Sequence, residues 1–219
     1  MMMYHKVLIL HSLDESTKFL KPFEDHFPDY YISVDDSDNS VQSVKTILSD
    51  LDETSFVIYI GHGSSEGLFL PNENFEYANL FLDAKWSNIY FENHDILLLS
   101  CRSNELLERI YKYNSAIGFG NIISSAHEIK QHNERNEIKK TLSNTDIDIF
   151  NAAYVKVSIS IIKMILNNTI NFSQAYKYYY YLINKEINNI LMNKKINNRI
   201  EIARLLFEFR NEMVYKSNH

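Results

Sequence analysis

Three segments of this chain are apolar without a break: KVLILH at Lys6–His11, FVIYI at Phe56–Ile60 and DILLLS at Asp95–Ser100. A strand with one face in water alternates apolar and polar residues. An unbroken run requires cover on both faces, which is the habit of parallel strands sandwiched by helices. Two further runs, Tyr30–Val34 and Ala116–Gly120, read as additional strands. The chain between them is helical in pattern: Ser16–His26, a stretch from Ser40 to Leu51 capped by Ser40, a turn and helix within Ala78–Ile89, and Glu105–Tyr113 capped by Asn104. Gly67–Leu70 reads as a hairpin arm. Strand–helix alternation of this kind predicts an α/β fold, a mostly parallel central sheet with helices on both faces.

After about Lys139 the strand signal stops. Asp146–Asn167, Ser173–Asn193 and Asn197–Lys216 read as three helices. Residues 1–145 are therefore expected to form the α/β core, and residues 146–219 a C-terminal helical region packed on it. The 219 residues suffice for a core without staples. The single cysteine excludes an internal disulfide framework and a multi-cysteine zinc site. No metal or other cofactor is expected. A net charge of −6 argues against a broad nucleic-acid-binding face. The most apolar helical stretch, Val155–Leu166, carries two serines and two lysines and is too short to span a bilayer. The N-terminal run reads as a strand rather than a signal peptide, and the expected location is the cytoplasm.

Only 5 glycines occur, where average usage would supply about 15, so their positions carry information. Three fall in one loop, Gly61, Gly63 and Gly67, around His62 at the carboxyl end of the FVIYI strand. Ligands of open parallel sheets sit at that end. The DILLLS strand stops at the same level on Cys101, and the intervening chain is long enough for one crossover. Neighbouring strands would bring imidazole and thiol face to face. Free cysteine has a pKa of about 8.5 and needs a base to act as a nucleophile near neutrality. The flanking glycines allow close backbone approach, and the amides of Gly63 and Cys101 are candidate oxyanion donors.

The segments YIGHGSSEGLF and ILLLSCRS resemble the two catalytic motifs of caspase-like cysteine peptidases, the fold shared by caspases, metacaspases, gingipains, separase and bacterial CHAT proteins. His62-Gly63 and Ser100-Cys101 match position by position. FLDAKWSNIYFENHDILLLSCRS is similar to the approach to the cysteine in CHAT proteins, and FNAAYVKVSISIIKMILNNTINFSQAYKYYYYL to their late helix pair. The likeness runs from Lys6 to about Leu182. AIGFGNIISSAHEI stands where a tryptophan-rich segment is often found, and the last helix has no counterpart. The resemblance implies a cysteine endopeptidase in which Cys101 attacks a peptide carbonyl, His62 moves the proton and Gly63 helps hold the oxyanion, with no third catalytic acid. It implies a dedicated protein substrate, in the manner of bacterial defence or cell-death systems. No adapter domain accompanies the motifs, so a regulatory protein on another chain is expected. A catalytically silent interaction module is the alternative, and an unrelated enzyme with a structural Cys101 a second.

The resemblance implies a substrate pocket drawn from residues after the first strand, beside the cysteine and after the fifth strand. Asp14 and Glu128 are the candidate pocket acids there, favouring a lysine or arginine beside the scissile bond. Other features point elsewhere. Asp36, Asp38 and Ser40 lack the glycine and terminal glutamate of a calcium loop. His127 and His132 in HEIKQH read as part of an exposed loop, and Lys130–Asn144 as a mobile one. The tyrosines at 178–181 encircle a helix and read as packing.

Overall fold

A computed structural model describes residues 4–52, 55–71, 79–135, 137 and 139–218. β1 (Val7–Ser12) leads through a 3-10 helix (Glu15–Leu20) and α1 (Pro22–His26) to β2 (Tyr31–Val34), then α2 (Asp38–Ser49) and β3 (Phe56–Ile60). A hairpin of β4 (Gly67–Phe69) and β5 (Leu80–Asp83) follows, then α3 (Ala84–Tyr90) and β6 (Asp95–Leu99). α4 (Ser103–Leu106), β7 (Ser115–Gly118) and α5 (Ala126–Arg135) lead to three longer helices, α6 (Asn144–Leu166), α7 (Phe172–Met192) and α8 (Arg199–Asn211). The described chain closes on β8 (Val214–Ser217).

Six strands form the central sheet in the order β2-β1-β3-β6-β7-β8. The first five are parallel and β8 is antiparallel to β7. The unbroken apolar runs are explained by the two faces. Phe56, Ile58, Ile60, Leu97 and Leu99 pack on the side of α6, α7 and α8. Val57, Tyr59, Ile96 and Leu98 pack on the other side, against Val44 and Leu48 of α2 and Phe81 and Leu82 of β5. Successive side chains point to opposite faces, so both parities of each strand must be apolar.

Several element boundaries differ from the sequence reading. The last helix ends at Asn211, and Val214–Ser217, which overlaps the end of the helix expected to Lys216, is a strand. It covers the edge of β7, pairing Gly118 with Val214 and Ser115 with Ser217. The C-terminal region is therefore not purely helical: its final strand belongs to the core sheet. Leu80–Asp83 is a strand before the helix expected there. Ser37, not Ser40, caps α2, accepting the Ser40 amide. α4 begins at Ser103 and is one turn long, so Asn104 lies inside it.

The segment expected as a polar loop is helical as far as Arg135. Ser125 Oγ accepts the Glu128 amide and the Glu128 carboxylate accepts the Ser124 amide, two bonds that start the helix. Helix α6 extends well beyond its apolar stretch. At 23 residues it is long and apolar enough to cross a membrane, yet it is mostly buried against the sheet.

Candidate active site

β3 and β6 are adjacent and parallel, with Ile60 opposite Leu99. His62 and Cys101 thus leave the sheet side by side, and both line one open cleft of about 680 Å³. Local sequence builds each turn. Gly61 adopts φ +144°, a conformation a side chain resists, and an added β-carbon would stand 2.9 Å from Ser12 Cβ. At Gly63 a β-carbon would stand 2.6 Å from Ser100 Oγ and 3.1 Å from the Cys101 carbonyl oxygen. Only glycine lets the two strand ends approach this closely.

The His62 loop is pinned from below. Its carbonyl accepts Tyr59 Oη at 2.9 Å and the Phe69 amide at 3.0 Å, and the Ser64 amide donates to the Gly67 carbonyl at 2.9 Å. These flanking bonds carry the bridge between Gly63 and Leu68. In such a pair the bridging residue's own amide turns away from the partner strand, so the Gly63 N–H is directed away from the hairpin.

The Cys101 turn is held as firmly. Ser103 Oγ accepts the Phe119 amide at 2.8 Å and lies 2.7 Å from the Leu98 carbonyl oxygen. The Arg102 amide donates to the Gly120 carbonyl at 2.8 Å. Arg102 itself sits at φ +54°, a left-handed position that costs a non-glycine residue about 1 kcal/mol or more. Sequence reading missed Ser103 and Arg102 as builders of this turn.

His62 is buried, and its Nε2 faces two groups from the segment after β1. Ser16 Oγ is 2.7 Å away and Asp14 Oδ2 3.3 Å. Asp14 is only 3% exposed and also caps the 3-10 helix, accepting the Ser16 and Thr17 amides. This corrects its expected role: Asp14 is turned inward onto the imidazole and does not line the cleft. A carboxylate thus stands beside the histidine, where the resemblance calls for no third catalytic acid. The readable signal was the cap pattern Asp14-x-x-Thr17; nothing in the sequence tied it to His62.

Glu128 does lie in the cleft with Cys101, at the start of α5. Its carboxylate accepts the Ser124 amide at 2.6 Å and Ser124 Oγ at 2.9 Å. A second carboxylate, unforeseen, comes from Glu212 after α8 and accepts the Asn121 amide at 2.8 Å. Arg102 also borders the cleft, but Glu105 binds its guanidinium through two bonds at 2.9 and 2.6 Å. The cleft therefore carries excess negative charge.

Cys101 as a residue is half-buried, and its thiol donates to the Ile122 carbonyl at 3.1 Å. Burial pushes the thiol pKa well above its ordinary range, the Glu128 carboxylate pushes it further, and Arg102 opposes both. The shift favours the neutral thiol over the thiolate. His127 bonds Gln131 on the helix surface and His132 borders the cleft. Among the described residues no group of three metal-ligating side chains forms. Comparison of the chain with protein-family models, with curated proteins and with solved structures finds no match.

Proposed function

We propose that this protein is a caspase-like cysteine endopeptidase. The observation that carries the reading is the delivery of His62 and Cys101, by adjacent parallel strands, into one cleft. In the proposed reaction Cys101 Sγ attacks the substrate carbonyl and its proton passes to His62. The oxyanion is held by the amides of Gly63 and Cys101. His62 then protonates the leaving amine, and a water hydrolyses the thioester.

The neutral resting thiol favours general-base attack on a bound substrate over a preformed thiolate. It also supports the idea that a second protein switches the enzyme on. Glu128 and Glu212 accept bonds from neutral groups and stand ready for a cation, which favours a lysine or arginine side chain beside the scissile bond. A cytoplasmic setting suits this chemistry, because a reducing compartment keeps a lone thiol free. A role in bacterial defence or cell death, acting on a dedicated protein, rests on the motif resemblance.

The same raised thiol supports a second reading, a silent module that binds without cleaving. A peptidyl acyloxymethyl ketone with a terminal arginine separates the two. The peptidase reading expects an adduct on Cys101, with His62→Ala slowing its formation by about 100-fold or more. Equal rates in both proteins would remove His62 from the chemistry. A wild type that forms no adduct leaves the binding module.

A further inference from the structure

The turn between α7 and α8 concentrates features for which the candidate active site has no use. From Leu191 to Ile200 the chain reads LMNKKINNRI, with three cations and no carboxylate. The nearest acids on either side are already occupied: Glu186 pairs with Lys156 of α6, and Glu201 with Arg204. Among the described residues Lys194, Lys195 and Arg199 enter no ion pair. Residues 172–219 carry 8 Lys and Arg against 4 Asp and Glu, whereas residues 1–171 carry 14 against 24. A basic pair of helices therefore sits on an acidic body.

The same turn exposes aliphatic side chains. Met192 is 81% exposed and Ile200 67%, the most exposed aliphatic residues described, with Leu191 beside them at 39%. Ile196, in the turn itself, packs against the core. The backbone here is held in place. Asn193 Oδ1 accepts the Lys195 amide at 3.1 Å, and the Ile196 amide donates to the Asn193 carbonyl at 3.1 Å. Asn198 Nδ2 donates to Asp146 Oδ2 at 2.7 Å, which ties the turn to the first turn of α6, and that carboxylate is buried. The exposed apolar groups are thus presented on a fixed frame.

We propose that this turn is a docking surface for a membrane rich in anionic lipid headgroups. Met192, Ile200 and Leu191 enter the headgroup boundary, while Lys194, Lys195 and Arg199 meet the lipid phosphates. The chemistry selects this occupant. Protein hot spots draw on aromatic residues and arginine seated in pockets, and single-stranded nucleic acid stacks its bases on aromatic rings. Here the exposed apolar groups are aliphatic and project from the end of a helix pair. An anionic leaflet attracts the basic end and repels the acidic body, so the molecule approaches turn first. α8 rises about 20 Å from this turn towards Glu212 at the cleft, which keeps the cleft clear of the lipid. Docking needs no catalysis and stands apart from the peptidase reading.

Vesicle co-sedimentation of the full chain tests the proposal. Phosphatidylcholine vesicles with about 30% phosphatidylglycerol should pellet the protein at low salt, and pure phosphatidylcholine should not. Partitioning should weaken about 10-fold or more between about 0.05 and 0.3 M NaCl, as the attraction is screened. Lys194→Gln combined with Lys195→Gln should lower it by about 25-fold, since each cation near an anionic leaflet is worth about 5-fold. Met192→Ser combined with Ile200→Ser keeps the charge and should lower it by about 10-fold. All four positions are exposed, so the fold is not at risk. Insertion is read directly from an environment-sensitive fluorophore on Met192→Cys in a Cys101→Ser background, whose emission should shift to the blue on the anionic vesicles. Equal pelleting by both kinds of vesicle, or by neither, would overturn the proposal. So would a Met192→Ser, Ile200→Ser protein that partitions like the wild type, or a fluorophore that stays in water.

Discussion

His11, one strand away from the candidate site, shows what burial does to a single residue. Its side chain is fully enclosed at the end of β1, with Nδ1 2.7 Å from Tyr31 Oη. Burial lowers its pKa to about 4, against a smaller opposing pull from Asp14. The unfolded chain, with an ordinary value of about 6.5, binds this proton first. Stability is therefore complete above about pH 6.5, falls as the pH drops towards 4 and levels off below it. The loss attributable to His11 is about 3 kcal/mol. Urea midpoints at pH 7 and 4.5 should show a drop in the wild type that His11→Gln largely removes; an equal drop in both would assign it elsewhere. The same scale separates what sequence reveals from what it conceals. His62 and Cys101 were legible because each ends an apolar run next to glycine or a turn. Asp14 was legible only as a loop acid. Its meaning depends on His62, far along the chain, reaching it through the β1–β3 pairing.

At the scale of elements, the turn after β6 is an assembly of three segments. Ser103, at the start of α4, ties the end of β6 to the chain after β7 through one buried hydroxyl. Ser103→Ala leaves the Phe119 amide buried without that acceptor, at a cost of about 2 kcal/mol. Chemical denaturation should record this loss together with slower ketone labelling of Cys101. A variant with unchanged stability would show that the turn is held by its backbone bonds alone. The elements that sequence misread share a cause. VYKS at β8 is short, half-exposed and mixed in character, so neither period stands out; it is a strand because β7 offers an open edge. α5 is polar on most of its surface, and Ile129 is its one buried apolar anchor among the described side chains. Its start signal, Ser125-x-x-Glu128, was readable but competes with the loop character of its composition.

Across the whole molecule, the C-terminal helices are joined to the α/β core by apolar packing and by a buried charge. Lys140, between α5 and α6, has a side chain only 4% exposed, and its Nζ lies 2.7 Å from Glu208 Oε2 on α8. Glu208→Ala strands a buried ammonium and should cost about 2 kcal/mol, while Lys140→Met should be close to neutral, since the carboxylate it leaves behind is 36% exposed and stays hydrated. Comparing the two urea midpoints tests this; equal losses would mean that the pair contributes only packing. Sequence alone determined the two-sided parallel sheet, because strands apolar at every position have no stable place except between two layers. It also determined where the candidate nucleophile and its base leave that sheet, because strand ends are set by local composition. Tertiary structure decided the burial that raises the thiol pKa, the turning of Asp14 onto His62, the negative cleft completed by Glu212 and the final strand. Each of these depends on the charge, burial or open hydrogen bonds that a distant segment brings, and local sequence carries no record of which segment that will be.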